Sequence, residues 1–435
     1  MFSVGFCTLG CRVNRYETDA LSEEFVRQGF AVKSFEDKCD VYVINTCTVT
    51  SESDRKSRQM IRRARLFGGK DAIVMAVGCY TQLNEEKAIK TQCLDYIGGN
   101  TDKLHTVSVA KDLLLQRDNK RGIISNVKDI RHQTEIEQMK ISTCSTTRSF
   151  VKISDGCNNR CSYCIIPKAR GPVRSKSIDD AVCEVSALCN NGYIETVLTG
   201  IETAAYGKDL QGVTFCDLLE NINNIKGLYR IRLGSLEPTV IRGDFADRIK
   251  NLEKVMPHFH LSLQSGSDSV LNAMRRRYNT QMFYEGISIL REKIPNVTFT
   301  TDVIVGFPGE TDEMFCDSME FAEKCGFLYM HIFPYSKREG TEAADMKNQI
   351  DGIEKKKRVS AMEKVMRTSR LKVMKSFLNQ SFEVLNESAQ DGLIKGYTPN
   401  FIEVCAKGNC QQGKLCNVQL NDICDNLSYM SAELI

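Results

Sequence analysis

Three cysteines within eight residues, Cys157, Cys161 and Cys164 in the run DGCNNRCSYC, constrain this chain more than any other feature. Their spacing is C-x3-C-x2-C, and a loop so dense in thiols folds most simply around one inorganic centre. Soft sulfur ligands select an iron–sulfur cluster or zinc. A fully ligated 4Fe–4S cluster takes four cysteines, and structural zinc also takes four ligands. The next residues, IIPKARG, supply no fourth Cys or His. Three thiolates would leave one iron open, which catalysis needs and a structural staple does not. The spacing favours the open cluster, with zinc and a distant fourth ligand as the other reading.

Nineteen cysteines in 435 residues would suit a disulfide framework only in an oxidising compartment. The chain opens MFSVGFCTLGC, without a basic n-region, apolar h-region or cleavage site, so a cytoplasmic protein with reduced thiols is expected. No run approaches the length of a membrane-spanning helix, and no membrane role is expected. A net charge of +3 does not by itself announce a nucleic-acid partner, so local charge must carry that case.

The pattern along the chain is α/β. SVGFCTL, VYVINTC and DAIVMAVGC read as strands, separated by the helical stretches ETDALSEEFVRQGF and SESDRKSRQMIRRARLF. That alternation predicts a Rossmann-like parallel sheet over residues 1–130, followed by a linker at 131–148. A second βα series over 149–375 has FVKISDG, ETVLTG, YRIRLGS, HFHLSLQS, TFTTDVIVGF and YMHIFPYS as strands. Six parallel strands with a loop motif after each predict a partial (β/α) barrel, whose site lies at the strand carboxyl ends. The short β-like runs of 376–435 fit a small β-barrel.

The three amino-terminal strands end alike. Cys11 follows TLG, Cys47 follows INT and Cys79 follows AVG. Carboxyl ends of parallel strands converge on one crevice, so these cysteines are candidates for a second three-thiolate site. Singly, each would read as a small buried hydrophobe.

With both triplets in place, the cysteine loop with Tyr163 before its third thiol resembles the radical S-adenosylmethionine (SAM) enzymes. TLGCRVN, VINTCTVT, VGCYTQ, SDGCNNRCSYCIIPKARGPVRS, LTGIETAAYG, LSLQSGSDSVLNAMRRRY, TDVIVGFPGET and HIFPYSKREGTEAA together resemble the methylthiotransferases. TLGCRVN, CIIPKARGPVR and FPYSKREGT are most similar to the branch acting on N6-threonylcarbamoyladenosine at position 37 of tRNA. The resemblance implies a Rossmann-like cluster domain, a radical SAM core and a TRAM-like barrel. It also implies two 4Fe–4S clusters, on Cys157/Cys161/Cys164 and on Cys11/Cys47/Cys79. The first would cleave SAM to a 5′-deoxyadenosyl radical, and the second would hold a methylated sulfur for insertion at C2 of the adenine.

For SAM, the resemblance implies contacts from Thr199, Gly200, Gln264, Ser265, Asp302, Ile304, Gly306 and Glu310. The loop at 201–205 departs from the related tRNA enzymes, which have a His and paired glycines where this chain has Glu202, Ala204 and Ala205. Arg55, Arg58, Arg62 and Arg65 recur at helical spacing after Cys47 and are candidates for gripping tRNA phosphates, against the plain reading of a solvated helix face. Expected partners are tRNA, through its anticodon stem-loop, and an electron donor of flavodoxin or ferredoxin type, with the sulfur donor unassigned. The alternatives are methylthiolation of isopentenyladenosine or of a ribosomal protein, or a non-catalytic iron–sulfur protein that binds RNA or carries electrons.

Overall fold

The computed structural model describes residues 1–116, 122–241, 243–390 and 392–435. Its first unit is a six-stranded parallel sheet of β1 (Ser3–Thr8), β2 (Ala31–Lys33), β3 (Val41–Thr46), β4 (Ile73–Gly78), β5 (Tyr96–Gly98) and β6 (Ile124–Asn126). The order is β2-β1-β3-β4-β5-β6. Both central strands, β3 and β4, are buried throughout. Val41, Val43, Ile73, Met75 and Val77 pack on one face and Tyr42, Ile44, Val74 and Ala76 on the other, as the two-residue pleat requires. Helix Arg12–Arg27 follows β1, and helix Ser51–Gly68 follows β3. Thr50 caps the latter by accepting from the Ser53 amide.

Two three-stranded parallel sheets make the second unit. One holds β7 (Ser149–Lys152), β10 (Glu195–Thr199) and β11 (Arg230–Leu233), and the other β12 (His258–His260), β13 (Thr298–Val305) and β14 (Tyr329–Pro334). A parallel bridge between Leu236 and Leu261 joins them into a six-strand crescent, the expected partial barrel. A short antiparallel pair, β8 (Ser154–Asp155) with β9 (Arg174–Ser175), brackets the cysteine loop. One hydrophobic core runs the length of this unit, from Val151 through Leu198 and Phe259 to Met330.

The third unit is a closed barrel of β15 (Ser381–Gln390), β16 (Leu393–Tyr397), β17 (Glu403–Lys407), β18 (Leu415–Ile423) and β19 (Met430–Leu434), in the order β15-β16-β17-β19-β18. It docks on the amino-terminal ends of the crescent strands. Arg230 donates to the Tyr397 carbonyl at 3.1 Å, Arg232 to the Thr398 carbonyl at 2.8 Å, and Thr298 to the Asn400 carbonyl at 2.5 Å. The crescent therefore has a floor at one end, and at the other its loops meet the first unit, with Arg170 at the Cys79 sulfur and Arg338 at Asp54.

The first two units are tied by buried charge. Glu17, on helix Arg12–Arg27, accepts from Arg170 at 2.6 Å and Lys152 at 3.0 Å, and also pairs with Lys103. Asp155 faces Arg170 at 3.1 Å, Lys152 at 3.3 Å and Arg174 at 3.8 Å. Burial works against a charged Glu17, but the summed attraction of Arg170, Lys103 and Lys152 outweighs it and holds the carboxyl well below the usual range. Its contribution to stability is therefore complete above the unfolded carboxyl value, about 4.3, and is lost as pH falls through the lower folded value. Glu17→Gln should cost about 3–5 kcal/mol at neutral pH by leaving cations unpaired, and the penalty should shrink in acid. Urea melts of the cluster-free protein at pH 7 and in acid would check this, and an equal penalty at both would contradict it.

Candidate active site

Each amino-terminal cysteine stands where a strand stops. Cys11 begins the turn into helix Arg12–Arg27, Cys47 follows β3, and Cys79 opens the short helix Cys79–Leu83 after β4. Because β1, β3 and β4 are adjacent in the sheet, the three arrive on one edge. Two glycines make room. Gly10 has φ +94°, and a Cβ there would sit 2.7 Å from the Cys47 sulfur. Gly78 has φ +107°, and its Cβ would lie 2.7 Å from the Thr46 carbonyl oxygen. Cys79 receives N–H groups from Arg170 Nε at 3.3 Å and Asn100 Nδ2 at 3.4 Å.

The second triplet occupies the loop after β7 and β8. Backbone bonds pin it: the Cys157 amide donates to Gly171 at 3.0 Å, Ser162 to Met274 at 3.1 Å and Cys164 to Cys161 at 3.1 Å. The Cys157 sulfur accepts from the Asn159 amide at 3.4 Å, and the Cys161 sulfur from Arg276 Nη1 at 3.1 Å. Arg276 is itself held by Glu237 at 3.1 Å and by the Tyr278 hydroxyl at 3.0 Å. Glu202 completes this wall, accepting from Asn159 Nδ2 at 3.1 Å. Burial first, then the neighbouring Glu237 carboxylate, push its carboxyl up to about 7. Among the described residues, the one group of His, Cys, Asp and Glu drawn close enough for a single ion is His260, Asp302 and His331. Neither thiol triplet is gathered that tightly, and a wider spread suits a multi-iron cube better than zinc, whose sulfurs would lie only ~3.8 Å apart.

Charge supplies a second test of fit. Four buried cations, Lys103, Lys152, Arg170 and Arg174, share two carboxylates within ion-pair distance. Glu137 lies farther out, its carboxylate accepting from the Leu104 amide. A thiolate-ligated cluster at Cys79, against Arg170, would supply the missing negative charge. The residues present fit such a group.

The residues expected to contact SAM divide. Asp302 and Ile304 keep partly open surface toward the lumen, and Asp302 lies 3.3 Å from His260 Nε2. Thr199 ends β10, and Gly200 after it packs on Ser154 so closely that a Cβ would fall 2.3 Å from its hydroxyl. Gln264 is held at φ +67°, while the Ser265 hydroxyl is spent on Ser318 at 3.0 Å. Glu310 turns away: it accepts from the Gly306 amide at 2.6 Å and from Arg358 at 2.7 Å, closing its own loop. The arginine row also divides. Arg55, Arg58 and Arg62 line a groove of about 610 Å³, with Arg63 and the apolar Leu66 and Phe67. Arg65 instead ties Asp95 at 2.6 Å and the Ala72 carbonyl at 2.7 Å. Two later basic runs, Arg275–Arg277 and Lys355–Arg358, each turn one arginine inward, Arg276 to Cys161 and Arg358 to Glu310.

Arg170, Asn159 and Asn100 carry no signal in the sequence, and Arg276 reads there only as a member of the basic cluster 275–277. Arg276 sits in RRR and Arg170 in PKAR, runs that read as surface charge unless the partner sulfurs are known.

The crescent with its cysteine loop defines a radical SAM protein. The profile of the Radical SAM superfamily matches residues 151–322, and that of Uncharacterized protein family UPF0004 matches residues 3–99. The chain is 36% identical over 427 residues to the threonylcarbamoyladenosine tRNA methylthiotransferase MtaB of Bacillus subtilis, covering 97% of this chain and 94% of the relative. To the protein of the same name from Aquifex aeolicus it is 38% identical, covering 95% and 99%. It is 33% identical to a tRNA-2-methylthio-N(6)-dimethylallyladenosine synthase of Alkaliphilus oremlandii, covering 87% and 81%. Among solved structures it resembles the radical SAM methyltransferase TsrM of Kitasatospora setae, with TM-score 0.59, 16% identity and coverage of 79% and 73%, a likeness of fold. The chain belongs to the radical SAM methylthiotransferase family, and its cofactors are SAM and two 4Fe–4S clusters. No helix among the described residues is long and apolar enough to cross a membrane.

A charge-assisted N–H···S bond favours the more negative, reduced state of an iron–sulfur centre. Arg276→Leu should therefore lower the midpoint potential of the centre at the Cys157 loop by roughly 60–130 mV, the one-electron equivalent of a bond to a charged group. Potentiometric titration followed by electron paramagnetic resonance would read it; an unchanged potential would show that Arg276 only packs.

Proposed function

We propose that this chain converts N6-threonylcarbamoyladenosine at position 37 of tRNA to its 2-methylthio derivative. The observation that carries the proposal is the pairing of two thiol triplets, each at strand carboxyl ends, with Arg170 reaching from the loop of one to the Cys79 sulfur of the other. Relatives named for this reaction, aligned over at least 94% of the chain, support it. Cys157, Cys161 and Cys164 would hold the SAM cluster, and Cys11, Cys47 and Cys79 the second. When bound, these groups supply reductive cleavage of SAM at one centre and a methylated sulfur at the other.

The protein's own part is orientation and charge. Arg276 and Asn159 brace the first triplet, and Arg170 and Asn100 the second. Glu202 and Glu237, two carboxylates crowded beside the first triplet, suit the ammonium and sulfonium charges of SAM. Asp302 and Ile304 face the lumen in which the nucleoside would lie. Arg55, Arg58 and Arg62 offer a phosphate-binding groove on the helix that follows Cys47. We further assign a flavodoxin- or ferredoxin-type electron donor, as a single-electron step requires, and a cytoplasmic setting, where tRNA and reduced thiols coexist.

Two cysteine variants separate the centres. Cys161→Ala should lose about half the iron and all SAM cleavage. Cys47→Ala should lose a similar share yet still form 5′-deoxyadenosine, without methylthio product. Methylthiolation at the wild-type rate by Cys47→Ala would remove the second centre from the reaction. Replacing Arg58 and Arg62 together should flatten the log–log salt dependence of tRNA binding by about 1.4–1.8; an unaltered slope would return both to a solvated face.

A further inference from the structure

Three guanidinium groups line one lumen cavity without an ion pair among the described residues, Arg12, Arg367 and Arg370, and of these Arg12 alone adjoins a cysteine of the thiol triplets. Arg12 follows Cys11 directly and opens helix Arg12–Arg27. It enters a cavity of about 460 Å³ that His258, His260, His331, Tyr397 and Phe401 also line. Of its neighbours, Arg148 pairs with Glu387 and Arg232 with Glu195 at 2.6 Å, while the Asp302 carboxylate lies 3.3 Å from His260 Nε2 and closes no ion pair with Arg12. Among the described residues Arg12 makes no ion pair, and its nearest ring is Phe150, 6.0 Å from the guanidinium carbon. A guanidinium that lines a cavity with no partner of its own offers its fork to an incoming anion.

The shape and chemistry of that anion follow from the cavity. A guanidinium fork matches a carboxylate through two parallel N–H···O bonds. The surrounding walls are aromatic, with His260 and His331 5.9 Å apart between ring centres and His331 stacked toward Phe333 at 6.4 Å. An aromatic base carrying a carboxylate on a short arm fits such walls. Adenine modified at N6 by a threonylcarbamoyl group is one, and its C2 and C6 both flank N1. A base whose C2 faces the Cys11 triplet therefore directs its N6 arm to ground close by, where the residue after Cys11 can reach it.

We propose that Arg12 binds the carboxylate of the threonylcarbamoyl group and so selects this nucleoside over one with an apolar N6 substituent. The assignment rests on the reaction proposed above. A dimethylallyl arm in the same place would leave Arg12 desolvated and unpaired, the circumstance in which polar sites reject a ligand most strongly.

The test is a cycle across the contact. Reconstituted holoenzyme, wild type and Arg12→Gln, is titrated anaerobically with anticodon stem-loops that differ only at position 37: the threonylcarbamoyl acid or its methyl ester. Wild type should bind the acid about ten-fold or more tightly than the ester, and Arg12→Gln should bind the two alike. Arg12→Lys should restore part of the preference by charge alone. An undiminished preference for the acid in Arg12→Gln, or an equal loss for acid and ester, would overturn the assignment. Wild type that yields methylthio product yet binds acid and ester alike would overturn it while leaving the reaction standing. If wild type makes no product from the acid, the reaction itself falls, and this assignment with it.

Discussion

The side chain of Arg170 holds the site together. It lies six residues beyond Cys164, is fully buried, and reaches Glu17 and Asp155 with one nitrogen, Asn14 with another and the Cys79 sulfur with the third. A guanidinium stripped of water is stable only where its donors are all met. That demand fixes how the sheet unit sits against the crescent, and so the separation and facing of the two thiol triplets. Glu17 and Asp155 answer it from opposite units, one on the helix after Cys11 and one just before Cys157.

Strands β3 and β4, which lead into Cys47 and Cys79, were legible in the sequence because they are buried on both faces and read as continuous apolar runs. The three-residue strands β2, β5 and β6, and β19 at the chain's end, give too little pattern to be read and are set by their neighbours. The cysteines announce themselves by spacing and by strand-end position. The groups around their sulfurs do not, since Arg276 and Arg170 belong to basic runs whose inward members differ from their outward ones only in the folded chain. Glu310 shows the converse. It stands in a motif that points to a ligand, yet Arg358, from helix Gly352–Lys375 far along the chain, draws it into the wall.

The carboxyl-terminal barrel has seven acidic and three basic residues over 381–435, a poor surface for phosphate. Its place explains it better. By accepting hydrogen bonds from Arg230, Arg232 and Thr298 it closes the amino-terminal end of the crescent, and it lays Phe401 flat on His258, 4.4 Å between ring centres. A lumen closed at this end shields a reactive carbon species from water on that side.

The central claim is that the two triplets act together on one modified nucleoside of tRNA. Mass spectrometry of tRNA nucleosides from a strain lacking this gene tests it most directly. The 2-methylthio form of N6-threonylcarbamoyladenosine should vanish and its unthiolated precursor should rise to match. Undiminished 2-methylthio-N6-threonylcarbamoyladenosine in that strain, with a different nucleoside losing its methylthio group, would contradict the account.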